Sequence, residues 1–236
     1  MFIGHYGLAF GAKRFVPTVS LGALFLACQL ADLLWPTLVL SGIERFTIVP
    51  GITRTSPFDF QYYPYSHSLL ALAVWGLLVG LAYRLGMRST WGAALVMCLL
   101  VLSHWVLDFI VHRPDLAIIP GEGPKVGLGL WNSLSGTLAA EYLLFAAGVW
   151  IYIQATAARD RIGSIGLWAL ILFLAAIEVA NVFGPPPPSV AAVAWSAEAM
   201  WLLVGWGLWV DRHRAVLSTR PLSRPPRHTA RSSRRP

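Results

Sequence analysis

Apolar residues form long uninterrupted stretches in this chain, and polar residues collect in the short segments between them. A helix needs about 20 mostly apolar residues to cross a hydrocarbon core of ~30 Å. Stretches of that length predict six membrane-spanning helices and one polytopic domain over residues 1–210, hence an all-α integral membrane protein. The predicted spans lie at about residues 16–39, 66–86, 90–112, 134–157, 163–183 and 189–210.

The two ends of the chain differ from these spans. The opening "MFIGHYGLAFGAKR" predicts a short additional helix that either re-enters the bundle or lies on the membrane surface. Its basic pair follows the apolar part, which is the reverse of a secretory signal. Residues 211–236 hold eight arginines and one acidic residue among prolines and serines, so they predict a disordered basic tail in the cytoplasm. Such a tail is attracted to anionic membrane lipids.

Composition supports a membrane protein and excludes an ordinary soluble domain. Of 236 residues, 56% are hydrophobic and 12% are charged, against roughly 25% charged in soluble domains. The net charge of +7 comes mainly from the tail, so no nucleic-acid partner is expected. Cys28 and Cys98 lie inside predicted spans and indicate neither a disulfide framework nor a thiolate metal site.

Basic residues alternate between the connections, which predicts the orientation. They occur at 13–14, 84–88 and 159–161 and again in the tail. Because cytoplasmic connections carry the excess of Lys and Arg, both ends of the chain are predicted to face the cytoplasm in a cytoplasmic (inner) membrane. The intervening connections then face the periplasm or exterior.

Ionisable residues in the spans are concentrated in the outward halves. Each would cost about 2.5 to 3.5 kcal/mol at a helix centre facing lipid, so their shared depth favours one hydrated pocket. For Glu141, Glu178 and Glu198 a separate polar link between helices is an equally open interpretation.

The segment "SHWVLDFIVHRPD" carries the most specific pattern. Residues four apart share a helix face, so His104 meets Asp108 and Asp108 meets His112. The two histidines are two turns apart and can share an ion only beside Asp108. Pro114 disfavours helix at the preceding residue, which places Asp115 in the loop beyond.

Imidazole and carboxylate are ligands of divalent metals, so we predict a metal site with zinc as the preferred ion. Its core is His67, His104 and Asp108, with Asp32 or His5 as further ligands. Ser66 is expected to cap the second span, which leaves the neighbouring His67 available for the metal. His5 reaches this site only if the first helix re-enters the bundle.

Residues around the site are assigned catalytic and binding functions. His112 or Glu141 is predicted to be the general base, and Asp115 joins this catalytic set. An anionic head group is expected to meet Arg113 or Lys125, with Asn132 nearby in the same long connection. That connection is either a functional lid or a surface segment anchored by a tryptophan.

Four motifs together resemble the YdjM-like membrane-bound metal-dependent hydrolases. They are "GHYGLAF", "ADLLWP", "SHSLL" and "SHWVLD", and they match that family's pattern in order and spacing over residues 4–115. The resemblance implies a metal-dependent hydrolase with His5, Asp32, His67, His104 and Asp108 at the metal. The chain departs from the pattern at Leu34 and Trp35, where the family has Asp and His. His112 and Asp115 are candidates to replace them.

Three functions from different classes follow from these features. The favoured function is a hydrolase acting on a lipid or lipid-linked ester or phosphoester at the outer leaflet, with membrane lipids as partners. A non-catalytic subunit docked in a larger membrane complex is the alternative, favoured by the eleven tryptophans, the "GPPPPS" turn and the basic tail. A transporter or proton relay ranks last, because no inverted repeat is visible and the polar groups stop near the midplane.

Overall fold

A computed structural model describes residues 1–121 and 123–217, and most of the predicted tail lies outside these residues. The described chain is mostly helical. Its α-helices are α1 (Ile3–Ala12), α2 (Leu21–Cys28), α3 (Leu30–Leu40), α4 (Pro64–His67), α5 (Leu69–Gly86), α6 (Trp91–Val111), α7 (Leu134–Ala155), α8 (Arg161–Phe183), α9 (Val190–Glu198) and α10 (Met200–Arg212).

Short antiparallel strand pairs lie outside the helices: two are within single connections, and the third joins the α7–α8 connection to the segment after α10. The strands are β1 (Arg45–Ile48), β2 (Phe58–Tyr62), β3 (Leu116–Ala117), β4 (Lys125–Val126), β5 (Thr156–Ala158) and β6 (Arg214–Val216). They pair as β1 with β2, β3 with β4 and β5 with β6. The all-α expectation did not include them, because strands of two to five residues carry too little alternation to be recognised.

Five helical segments are long and apolar enough to cross a membrane. They are α5, α6, α7, α8 and the combined segment Val190–Arg212, which contains α9 and α10. The predicted first span at 16–39 is instead the pair α2 and α3, bent by 57° at Gln29. The count of six therefore holds only if this bent pair crosses as one unit.

The first helix lies inside the bundle. Nine of the ten residues of α1 are buried. Close approach to α7 requires glycine, since a Cβ on Gly148 would lie 1.8 Å from the carbonyl oxygen of Gly7. Small residues allow helix backbones to touch in this way within membranes. Of the two predicted placements of this segment, the structure has the one inside the bundle.

The basic connections lie together at one end of the bundle. Lys13 Nζ donates to Asp211 Oδ2 over 2.8 Å, and the Arg159 amide donates to the His213 carbonyl over 2.9 Å. The ends of α1, α7 and α10 and the start of α8 therefore share this end. Helix α10 runs to Arg212 and β6 follows it, so the predicted tail boundary at 211 falls inside a helix.

Candidate metal centre

Ionisable side chains from α1, α3, α4 and α6 meet at the end of the bundle opposite the basic connections. All stand at positions that the sequence analysis named as metal or catalytic candidates. All are buried except Asp32, whose side chain is 22% exposed. They are His5, Asp32, His67, His104, Asp108 and His112.

Three imidazoles direct Nε2 at one carboxylate oxygen. Asp108 Oδ2 lies 3.2 Å from His104 Nε2, 3.7 Å from His112 Nε2 and 3.8 Å from His67 Nε2. Asp32 Oδ1 lies 3.2 Å from His67 Nε2 and 3.7 Å from His104 Nε2. Metal bonds of about 2.1 Å at tetrahedral angles put ligand atoms about 3.4 Å apart, so this spacing suits one ion.

Hydrogen bonding fixes the tautomer of His104. Its Nδ1 lies 2.8 Å from the Cys28 carbonyl oxygen, which can only accept, so Nδ1 carries the proton. Nε2 faces the carboxylates of Asp32 and Asp108, and it has no hydrogen-bond partner of good geometry among the described residues. Either a proton or a metal ion at this nitrogen would balance the charge of the two carboxylates.

A buried relay fixes the tautomer of His67 in the same way. Glu44 is 1% exposed, and its Oε2 accepts from Ser66 Oγ over 2.6 Å. Because the serine hydroxyl has a single proton, Ser66 Oγ accepts from His67 Nδ1 over 2.7 Å. His67 Nε2 is thereby directed at Asp32 Oδ1, which lies 3.2 Å away. In metal sites generally, hydrogen bonds of this kind from residues that do not touch the ion hold the imidazole ligands in orientation.

Ser66 therefore does not cap the second span as predicted. The span begins at Leu69, and Ser68 caps it by accepting from the Ala71 amide over 3.2 Å. The sequence analysis also missed Glu44, which lies 22 residues before Ser66 in a connection. A lone glutamate near a predicted helix end gives no local signal of such a pairing.

His112 is oriented by Asp115 in a similar arrangement. His112 Nδ1 lies 3.0 Å from Asp115 Oδ1, which also accepts from the Tyr63 hydroxyl over 3.2 Å. Burial raises the pKa of Tyr63 well above its usual range, so its hydroxyl remains a donor. His112 Nε2 is left facing Asp108, and its ring packs on Trp131 at 4.2 Å between centroids.

His5 holds the opposite side of Asp108. Its Nε2 lies 3.1 Å from Asp108 Oδ1, and its ring stacks on His104 at 3.8 Å between centroids. The amino group of Met1 donates to the same oxygen over 2.6 Å. Two overlapping sets have ligand atoms close enough for a metal: His5, His104 and Asp108, and Asp32, His67 and His104.

Glu141 anchors α1 beside this centre. Its Oε1 accepts from the Phe2 amide and its Oε2 from the Gly4 amide, each over 2.8 Å. These amides belong to the first turn of α1, whose orphan N–H groups favour a carboxylate. Both oxygens are thus bonded to α1, which holds His5 beside Asp108. Glu141 also lines the cavity, and its function as a general base stays a prediction.

The centre opens into a cavity of about 900 Å³. Asp32, His67, Asp108 and His112 line one part of it. None of the predicted substrate-binding residues is among the lining residues. Arg113 instead donates to Asp59 over 2.6 Å, Lys125 to the Gln61 carbonyl and Asn132 to the Gly129 carbonyl.

Besides the candidate ligands and Glu141, the charged residues Arg54 and Glu178 line the cavity, and neither was predicted to bind substrate. Arg54 lies in the connection between β1 and β2, and Glu178 lies on α8. Hairpin loops carry no periodic signal, and the position of Arg54 depends on backbone hydrogen bonds to the Trp131 carbonyl. Its place at the cavity is therefore a property of the assembled loops.

Comparison with protein-family models, curated proteins and solved structures gave no match. The resemblance to the YdjM-like hydrolases consequently stays a prediction from four motifs.

Proposed function

We propose that this protein is a membrane-embedded, metal-dependent hydrolase that acts on an ester or phosphoester of a lipid or lipid-linked molecule. The observation that carries the proposal is the arrangement of His67 and His104. Each has Nδ1 committed to a fixed acceptor and Nε2 directed at the carboxylates of Asp32 and Asp108. Zinc is the preferred ion for such a mixed nitrogen and oxygen set.

The residues divide into holding and proton-transfer functions. Asp32, His67, His104 and Asp108 would hold the ion, and a bound divalent ion supplies Lewis acidity toward an ester or phosphoester oxygen. His112 is the general base that accepts a proton at Nε2, because Asp115 accepts from its Nδ1 and keeps that nitrogen protonated. This arrangement supports the predicted functions of His112 and Asp115.

The location of the centre supports a membrane substrate facing away from the cytoplasm. The centre lies at the end of the bundle opposite the basic connections. By the preference of basic residues for the cytoplasm, that end faces the exterior in a cytoplasmic membrane. A site between membrane helices is reached directly by lipid molecules.

Elemental analysis of gently purified protein tests the proposal. We expect close to one divalent ion per chain, and His104→Ala should remove it. His213→Ala is the matched control, since His213 pairs with Asp160 at the basic end. Metal-free wild-type protein that purifies within a larger complex would overturn the hydrolase and favour the non-catalytic subunit.

A further inference from the structure

Helices α8 and α10 pack closely at only one end. Near the basic connections, a Cβ on Gly163 would lie 2.0 Å from the His213 carbonyl oxygen, and one on Gly166 would lie 3.0 Å from the Trp209 ring. Further along, both helices instead line the cavity of the metal centre. The two helices therefore diverge toward the metal centre and leave a cleft between them.

We define this α8–α10 cleft by Phe173, Ile177, Ala180, Leu203 and Trp206. Its floor is the contact between Phe173 and Trp206, whose ring centroids are 5.6 Å apart. These residues line the same cavity as Asp32 and Asp108. The cleft is thus continuous with the metal centre.

The depth of the cleft matches one leaflet of a bilayer. From Phe173 to the end of α8 at Phe183 the helix rises ~15 Å at about 1.5 Å per residue. The hydrocarbon core is ~30 Å thick, so the cleft reaches from one surface to the midplane. Because α8 and Val190–Arg212 are candidate spans, the open side of this cleft faces lipid.

Charged groups lie above the apolar part of the cleft. The Glu178 side chain lines the cavity, and the residue is only 3% exposed. Its carboxyl oxygens are not among the fully buried unpartnered atoms of the described residues, so they are open to the cavity. Arg54 is exposed at the same cavity, and no ion pair is found for it in the described part of the chain.

We infer that the α8–α10 cleft binds one acyl chain of an anionic glycerophospholipid that enters sideways from the leaflet on the metal-centre side. The acyl chain occupies the apolar walls, and the phosphate group meets Arg54. The Glu178 carboxyl lines the cavity between the two and can accept from a hydroxyl group of the head group. That this lipid is the substrate rests on the proposed function. Binding of the lipid does not depend on catalysis and is measured separately.

Native mass spectrometry of the full chain with added palmitoyl-oleoyl phosphatidylglycerol tests the inference. Ala180→Phe fills the cleft and should reduce bound lipid about fivefold or more, because the acyl chain loses its buried contact area. Ala176→Phe is the matched control on the same helix, since Ala176 is exposed and is not among the lining residues. It should bind lipid as the wild type does.

A second arm tests the head group without altering the membrane helices. Arg54→Gln should lower binding of phosphatidylglycerol about tenfold relative to phosphatidylcholine, the effect of one lost charge-assisted contact. Arg45 lies in β1, which leads into the loop that carries Arg54, and it is not among the cavity-lining residues. Arg45→Gln should therefore leave this preference unchanged. Equal lipid binding by Ala180→Phe and Ala176→Phe, or an unchanged head-group preference in Arg54→Gln, would overturn the inference.

Metal content measured in the same samples separates the two proposals. If Ala180→Phe loses lipid binding and the wild-type protein holds no metal, only the hydrolase proposal is contradicted. Full metal content with equal lipid binding in all variants would contradict only the acyl-chain site.

Discussion

The two histidines proposed to hold the ion, His67 and His104, each have one ring nitrogen bonded to a partner outside the centre. His104 uses the Cys28 carbonyl, and His67 uses Ser66, which in turn donates to Glu44. These partners hold the rings in place and leave Nε2 as the nitrogen that faces the carboxylates. The affinity for metal therefore depends on residues that never touch the ion.

Ser66→Ala tests this dependence on an outer residue. Removing the hydroxyl frees His67 to change tautomer, and we expect metal affinity to fall about 10- to 100-fold, as for other outer-shell partners. Competition with a chelator measures the affinity. Ser68→Ala is the control, because it removes only a helix cap worth about 1 kcal/mol. Equal loss of affinity in both variants would contradict the relay.

Asp115→Asn tests the proton-transfer pair. The asparagine cannot hold His112 in the required tautomer as a carboxylate does, so kcat should fall about 100-fold or more while metal content stays the same. Hydrolysis of bis-p-nitrophenyl phosphate together with elemental analysis measures both. Asp160→Asn, which alters an aspartate–histidine pair at the basic end of the bundle, is the control. Unchanged turnover in Asp115→Asn would exclude the pair from catalysis.

Helix α1 is too short to cross a membrane, yet it supplies His5 to the centre. At about 1.5 Å per residue its ten residues span ~15 Å. It is held against α7 by the contact of Gly7 with Gly148, and its first turn is held by Glu141. The buried helix α1 places the His5 ring and the Met1 amino group against Asp108 Oδ1.

Gly148→Ala should displace α1 from its position against α7. The added methyl would overlap the Gly7 carbonyl, and overpacking of this kind costs about 1 to 3 kcal/mol. We expect a lower thermal transition and reduced metal affinity, because His5 moves away from Asp108. Gly205→Ala, where a Cβ meets nothing within 4 Å, should change neither quantity.

The bend between α2 and α3 also serves the centre. It places Asp32 three residues beyond Gln29, at the start of the second segment, while Cys28 ends the first and supplies its carbonyl to His104. A straight helix would have used that carbonyl for its own backbone bond. The broken helix thus provides both a ligand and an orienting acceptor.

The molecule as a whole has two chemically distinct ends. One holds the basic connections and the β5–β6 pair, where Arg214 donates to Thr156 Oγ1 and to the Gly163 carbonyl. The other holds the metal centre, its cavity and the β1–β2 ribbon. This polarity is the basis for the proposed orientation.

Cysteine labelling in intact cells tests that orientation. In a variant lacking Cys28 and Cys98, a membrane-impermeant maleimide should label Gln61→Cys, in β2 at the metal-centre end. It should not label Met87→Cys, at the α5–α6 connection, until the membrane is permeabilised. Both positions are exposed in the fold, so the membrane alone separates them. The reverse result would place the metal centre on the cytoplasmic side.

Hydropathy and the spacing of residues along the helices made much of the fold and part of the candidate site predictable from the sequence. Apolar runs gave the segments that became α5 to α8, and four-residue spacing placed His104 and Asp108 on one face of α6. His112 falls just past the helix end and still points at Asp108, as the spacing indicated. Hydropathy and helical spacing depend on neighbouring residues, so the sequence alone contains them.

Contacts between distant residues decided the rest. The partner of Ser66 lies 22 residues away at Glu44, and the carboxylate beside His5 lies 103 residues away at Asp108. The bend at Gln29, the burial of α1 and the divergence of α8 from α10 also arise from packing between segments. No local pattern encodes these arrangements, because each depends on the distances that exist only once the helices are assembled.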